Sequence, residues 1–265
     1  METLGYFLAV VMGMVLGLLG GGGSILTVPI LVYFFGLPAA IATGYSLLVV
    51  GITSLVGSVK YYRERLIDFR IALLFAIPSM IGVLVSRKYL LPVLPDNMSV
   101  FSLGVTKDQV IMLFFAVLVL VISVFMFKAK EEDANKDSQA SISKNKLYWI
   151  ALEGFLVGVI TGFVGAGGGF MIVPALMLLA NVPLRKAIAT SLVIISLKSL
   201  AGFVGDLSEG SQFDWYFLSV FVSITMIGVL LGTVLNKKMP VLVLRKGFAY
   251  FVFGMGLLIV VKELL

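Results

Sequence analysis

Gly17-Leu18-Leu19-Gly20-Gly21-Gly22-Gly23-Ser24-Ile25-Leu26-Thr27-Val28-Pro29 decides how this chain is read, because it occurs twice. Gly162-Phe163-Val164-Gly165-Ala166-Gly167-Gly168-Gly169-Phe170-Met171-Ile172-Val173-Pro174 aligns with it without a gap, at an offset of 145 from Gly17 to Gly162 and from Pro29 to Pro174. Each copy sits inside a long apolar run. A glycine in a helix interior costs about 1 kcal/mol relative to alanine, so four together break the helix. Lipid offers no partner to the amides and carbonyls so freed. Irregular backbone at membrane depth is therefore either buried in protein or lines a polar cavity. Two broken apolar segments in corresponding positions of two halves point to a transporter's binding site.

Composition agrees with a membrane setting. Of the 265 residues, 60% are hydrophobic and only 13% charged, with a mean hydropathy of +1.11. A soluble domain is nearer 45–50% apolar and about 25% charged. The net charge of +6 resides mostly in loops, where it reports orientation, and no nucleic-acid motif accompanies it. The chain has no cysteine and no histidine. Disulfides and thiolate chemistry are excluded, and with them the commonest general base and the commonest metal ligand. No cofactor and no metal site is expected. Met1-Glu2-Thr3 lacks a basic start and no small-residue cleavage site follows, so the first helix is expected to stay in the mature protein.

The pattern predicts an all-α polytopic membrane protein built from two repeats. Residues 1–127 form the N-terminal membrane repeat and 147–265 the C-terminal one. Between them, 128–146 (KAKEEDANKDSQASISKNK from Lys128 to Lys146) reads as a flexible linker. Each repeat opens with a glycine-broken hairpin, Leu4 to Phe35 and Leu147 to Ala180, whose second arm is too short to span. Three transmembrane helices follow in each: Ala39 to Val59, Ile71 to Val85 and Asp108 to Phe127, then Leu184 to Val204, Trp215 to Leu235 and Gly247 to Val261. Lys60 to Arg70, Arg87 to Lys107, Asp206 to Asp214 and Asn236 to Lys246 read as loops.

A hairpin plus three spans is an odd number of crossings, so the second repeat enters the membrane inverted. The charges of equivalent loops agree. Lys60, Arg63, Arg65 and Arg70 lie in one, whereas Asp206, Glu209 and Asp214 lie in its counterpart. The positive-inside rule places the first loop, the linker and Asn236 to Lys246 in the cytoplasm, and both termini outside. The long loop with Arg87, Lys88 and Lys107 then falls outside, against the rule.

The candidate ligand groups are donors. Gly20, Gly21, Gly22, Gly23 and Ser24 in one loop, and Gly165, Gly167, Gly168 and Gly169 in the other, precede short helices whose N-terminal amides and dipoles suit an anion. Close helix packing is the competing explanation for such small residues. Thr43 and Ser46 in the first repeat, with Thr53 and Ser54, answer Thr190, Ser191 and Ser199 in the second. A hydroxyl facing a cavity can bond an oxyanion, and one bonding its own helix carbonyl cannot. Lys198 lies about 14 residues into an apolar helix, as an anion ligand aided by Lys60 or as a snorkelling side chain. Glu153 is a proton-coupling group, a partner for Lys198, or a carboxylate reaching headgroups. Ser191 and Lys198, seven residues apart, form the only arrangement resembling a nucleophile and base, so an intramembrane hydrolase is a remote alternative and no enzyme is expected. An anion channel is the other.

The two loops resemble the signature of the TauE/SafE sulfite exporter family, a glycine cluster followed by Val-Pro-x-Leu in each half: Val28-Pro29-Ile30-Leu31 and Val173-Pro174-Ala175-Leu176. Ala189-Thr190-Ser191-Leu192 matches the family's second mark. In the first half Gly44-Tyr45 separates Ala42-Thr43 from Ser46-Leu47. The resemblance implies secondary transport, as an exporter in the inner (plasma) membrane, of a small sulfur-containing anion such as sulfite, sulfoacetate or thiosulfate. Its partners would be that anion and the lipid bilayer, with no nucleic acid; a homodimer is an assembly the sequence permits.

Overall fold

The computed structural model describes residues 2–93, 97–100, 103–128, 144–165, 167–178, 182–208 and 210–264. The chain is an all-α polytopic membrane protein. Its first half contains α1 (Glu2–Leu19), α2 (Ser24–Phe35), α3 (Ala39–Arg63) and α4 (Phe69–Val85). A π-helical turn (Ser86–Leu90) and the single turn α5 (Leu91–Val93) extend α4, and α6 (Lys107–Lys128) closes the half. The second half contains α7 (Lys144–Val164), α8 (Gly169–Leu178), α9 (Leu184–Ser208), α10 (Trp215–Asn236) and α11 (Val241–Leu264). Among the described residues four helical stretches are long and apolar enough to cross a membrane: Ala39–Arg63, Phe69–Val93, Leu184–Ser208 and Trp215–Asn236.

Several boundaries differ from the sequence reading, each for a local reason. Lys60 is helical, because no breaker precedes Arg65, where φ is +57°. There the amide of Leu66 donates to the Tyr61 carbonyl and that of Arg65 to Tyr62, the paired bonds that close a helix on a left-handed residue. Arg87 belongs to the π turn that continues α4, and Asp206 to the last turn of α9, so neither is a loop charge. The loop before α6 carries an antiparallel hairpin, β1 (Asn97–Val100) and β2 (Leu103–Thr106). A reciprocal cap then starts α6: the Thr106 amide donates to Gln109 Oε1, and the Gln109 amide to Thr106 Oγ1. Asp108 serves another helix, accepting the Ala40 amide at the start of α3. Of the linker expected at 128–146, residues 129–143 lie outside the described residues, as do Ala166, Ala180 and Glu209.

Glycines set the helix pairings. A Cβ on Gly13 or Gly17 of α1 would fall within 2.3 Å of the Thr225 or Val229 carbonyl oxygen of α10. On Gly228 or Gly232 it would meet Val10 or Met14. The two helices therefore run parallel with backbones in contact. The α4 and α7 helices repeat the arrangement: Gly154 lies against Phe75, Gly158 against Ser79, and Gly162 against Val83. By contrast α3 and α9 run antiparallel, with Gly44 by Asp206, Gly51 by Leu200 and Gly57 by Leu192. The α1–α2 hairpin doubles back on itself, since Gly5 meets Phe35 and Gly23 meets Met12 and Leu16.

These contacts define two opposite ends. At one end lie the turn at Gly36, the start of α6 through the Ala40–Asp108 bond, and the end of α11, where Lys262 Nζ sits 4.5 Å from the Tyr33 ring centroid. At the other, Lys237 pairs with Glu64 at 2.9 Å, and Arg185 donates to the Met239 carbonyl. The core between them is aliphatic and aromatic, with Leu16, Ile25, Phe75, Phe115, Phe170 and Phe221 fully buried.

Candidate anion site

The two glycine loops meet backbone to backbone. A Cβ on Gly21 would fall 2.3 Å from Gly169 Cα, and one on Gly169 the same distance from Gly21 Cα. Five loop glycines have left-handed φ: Gly20, Gly21, Gly165, Gly167 and Gly168. Only glycine adopts that backbone at so crowded a contact. The junction lies midway along the long helices, with Ile195 Cδ1 of α9 against Gly21 and Gly169 and Val50 Cγ1 of α3 against Gly167. Gly20 packs on Ile188 and Gly165 on Thr43, two contacts related by the offset of 145. All described residues of both loops are buried. Of the two environments expected for broken backbone in lipid, this is burial in protein rather than an open cavity. Apolar grooves open elsewhere, one between α4 and α9 and one along α11.

The break leaves carbonyls at the end of α1 and amides at the start of α2 without helical partners. Side chains from three other helices take the carbonyls. Tyr61 Oη donates to Gly17 O at 2.8 Å, Asn236 Nδ2 to Leu18 O at 2.5 Å, and Ser191 Oγ to Gly20 O. Ser191 also lies 2.8 Å from the Ile188 carbonyl. Tyr61 and Asn236 escape sequence reasoning, since both look like interfacial residues at helix ends. The amides are served less well. Those of Ser24, Ile25 and Leu26 turn back to Gly21, Gly22 and Gly23, and Ser24 Oγ joins them on Gly21 O at 2.6 Å. Among the described residues the amides of Gly21, Gly22, Gly23, Gly167 and Gly168 meet no acceptor, although buried amides are nearly always bonded.

Lys198 brings the charge. Its side chain is 1% exposed, so it does not snorkel. Nζ donates to Thr161 Oγ1 of α7 at 2.6 Å and lies against Gly168, beside the N-terminus of α8. A buried ammonium next to the positive end of a helix calls for negative charge. Among the described residues no carboxylate is within ion-pair reach of it. Glu153, half-buried, lies eight residues before Thr161, about 12 Å along α7. Lys60 lies near the far end of α3, by the start of α9, and does not join Lys198.

The remaining hydroxyls divide. Thr43 Oγ1 donates to the Ala40 carbonyl at 2.7 Å and Thr53 Oγ1 to Val49 at 2.6 Å, each within its own helix. Thr190 Oγ1 accepts the Asp68 amide that begins α4. Ser46, Ser54 and Ser199 are buried with no partner for Oγ. Thr43 Oγ1 also receives Arg87 Nη1 at 3.1 Å, and Arg87 pairs with Asp206 at 3.2 Å. The candidate site thus gathers both glycine loops, Ser24, Thr43, Ser191 and Lys198, while the Thr190 hydroxyl is engaged by the amide before α4.

The profile of the sulfite exporter TauE/SafE family matches residues 6–259. The chain belongs to that family. It is 31% identical to the probable membrane transporter protein YunE of Bacillus subtilis, over 89% of this chain and 90% of that protein. The probable membrane transporter protein MJ0441 of Methanocaldococcus jannaschii is 26% identical, over 94% and 93% of the two chains. Sulfite exporter TauE/SafE family protein 5 of Arabidopsis thaliana is 24% identical over 52% of this chain and 35% of its own length. No solved structure matches.

Proposed function

We propose that the chain is a secondary transporter, an exporter in the plasma membrane, of a small sulfur-containing oxyanion of the sulfite, sulfoacetate or thiosulfate class. The observation that carries this reading is the meeting of the two buried loops, where among the described residues the amides of Gly21, Gly22, Gly23, Gly167 and Gly168 meet no acceptor, beside the ammonium of Lys198. An oxyanion offers acceptors alone and supplies the missing charge. Family membership and the names of the relatives agree with transport.

Alternating access between inverted repeats is the mechanism we infer. Its support is the pairing pattern. The contact of α1 with α10 is matched by that of α7 with α4, both parallel, while the equivalent helices α3 and α9 run antiparallel. A two-fold axis lying in the membrane plane relates helices in this way. The closed junction is then the occluded state, opened by rocking one half against the other. The basic residues Lys60, Arg63, Arg65, Lys237 and Lys238 support an orientation with the Glu64–Lys237 end and the 128–146 linker in the cytoplasm and both termini outside.

Thermal-shift screening of the purified protein against sulfite, sulfate, thiosulfate, sulfoacetate and carboxylates tests the reading. We expect a sulfur oxyanion to raise the melting temperature, and its flux into liposomes to saturate and show counterflow. Non-saturating flux without counterflow would indicate a channel, and no response to any oxyanion would overturn the reading.

A further inference from the structure

Among the described residues many serine and threonine hydroxyls are spent on their own helix. Thr53, Ser58, Ser123, Ser196, Thr225 and Thr233 each donate to a carbonyl three or four residues back. This is the default for Ser and Thr in an apolar helix, where no water competes. Ser54 and Ser199 break the rule. Each is 0% exposed, and neither Oγ has a partner. They are related by the same offset of 145 as the glycine loops. The other unpartnered hydroxyls, on Thr27, Ser46, Ser79 and Ser86, have no such twin: their counterparts are Ile172, Ser191, Ile224 and Leu231, of which only Ser191 has a hydroxyl, and that one is bonded.

Their position bears on the junction. Residues four apart on a helix share a face. Ser54 lies one turn beyond Val50, whose Cγ1 touches Gly167. Ser199 lies one turn beyond Ile195, whose Cδ1 touches Gly21 and Gly169, and it adjoins Lys198 in sequence. A buried hydroxyl without a partner is destabilising, and the protein carries that cost twice, at equivalent places, on the two faces turned to the loops.

We infer that Ser54 and Ser199 are equivalent ligand hydroxyls of the anion path, one in each half, donating to the oxyanion alongside the loop amides. The inference rests on the transporter reading above and adds two binding residues to it. It also gives the two halves matching contacts, while Lys198, whose counterpart is Thr53, charges only one of them.

Titration calorimetry with thiosulfate and with sulfoacetate tests this on the purified wild-type protein, on Ser54→Ala, Ser199→Ala and the double variant, and on Ser196→Ala as a control. We expect each variant at the pair to weaken binding about ten-fold, the size of a lost hydrogen bond to an anion, and Ser196→Ala to bind as the wild type does. The melting temperature without ligand separates this from a structural role. Alanine removes an unsatisfied group, so it should hold or raise that temperature. Wild-type binding retained in full by the double variant would overturn this inference alone. A lowered melting temperature, or equal weakening in Ser196→Ala, would also overturn it. A wild type that binds neither anion would overturn this inference for them, and one that also answers no oxyanion in the thermal-shift screen would sink the transporter reading with it.

Discussion

Arg87 and Asp206 form an ion pair of 3.2 Å inside the protein, and each comes from a different half of the chain. Their side chains are 3% and 9% exposed. Arg87 reaches Asp206 because the π turn carries α4 past Val85, and its Nη1 also touches Thr43, which packs on Gly165 at the start of the second glycine loop. The pair thus ties α4, α3 and α9 together beside that loop. At the positions 145 residues away stand Gly232 and Tyr61, which cannot form such a pair.

Removing one member leaves a buried charge behind, which costs about 3–5 kcal/mol. Arg87→Met and Asp206→Leu should each lower the melting temperature in detergent sharply. The double variant, which buries no charge, should recover most of the loss. Additive losses in the double variant would show that the two residues do not act as a pair.

Lys198→Met replaces a long cationic side chain by an apolar one of similar length. Burying an ammonium whose one partner among the described residues is Thr161 Oγ1 is costly, so the ligand-free variant should be at least as stable as the wild type. Its stabilisation by sulfite or thiosulfate should disappear. A Lys198→Met protein that melts lower but still responds to the anion would assign Lys198 a packing role.

The broken hairpins were legible because glycine clusters, the Pro behind them and the 145-residue offset are one-dimensional signals. Helix type, order and the short second arms followed from hydropathy and length. The partners were not legible. Tyr61, Asn236 and Thr161 take their roles only once α3, α10 and α7 are brought to the ends of other helices. Arg87 and Asp206 looked like loop charges, since nothing in sequence distinguishes an exposed arginine from one carried inward by a π turn. Their repeat counterparts differ in chemistry, so the offset that revealed the loops could not reveal the pair. Counting both as loop charges also distorted the topology argument. With Arg87 buried, the loop expected outside loses one of the three basic residues that set it against the positive-inside rule.

The glycines of the α1–α10 contact should be far less replaceable than others. A Cβ on Gly17 would sit 2.3 Å from the Val229 carbonyl oxygen, and on Gly232 2.1 Å from that of Met14. Gly17→Ala and Gly232→Ala should each cost about 1–3 kcal/mol or more by forcing the backbones apart. Gly254, in α11, has nothing within 4 Å of its added Cβ. Gly254→Ala should be neutral or stabilise by about 0.5–1 kcal/mol. Melting curves of the three variants side by side check the contrast, and equal effects would mean that α1 and α10 do not meet through these residues.

Orientation can be read directly, because the chain has no cysteine to remove first. Lys238 and Ser211 are exposed at opposite ends of α10. Lys238 adjoins the Glu64–Lys237 pair, in the end rich in basic residues. Ser211 adjoins Asp206 and precedes the Asp214 cap. A membrane-impermeant maleimide should label Lys238→Cys only in inside-out vesicles and Ser211→Cys only in right-side-out ones. The reverse pattern would mean that the basic end faces outward and that α10 still crosses the bilayer. Labelling of both from one side would deny α10 its crossing. Since α10 runs parallel to α1 along the glycine contact, that result would also remove the bilayer from the α1–α2 hairpin and from the proposed anion site at its tip.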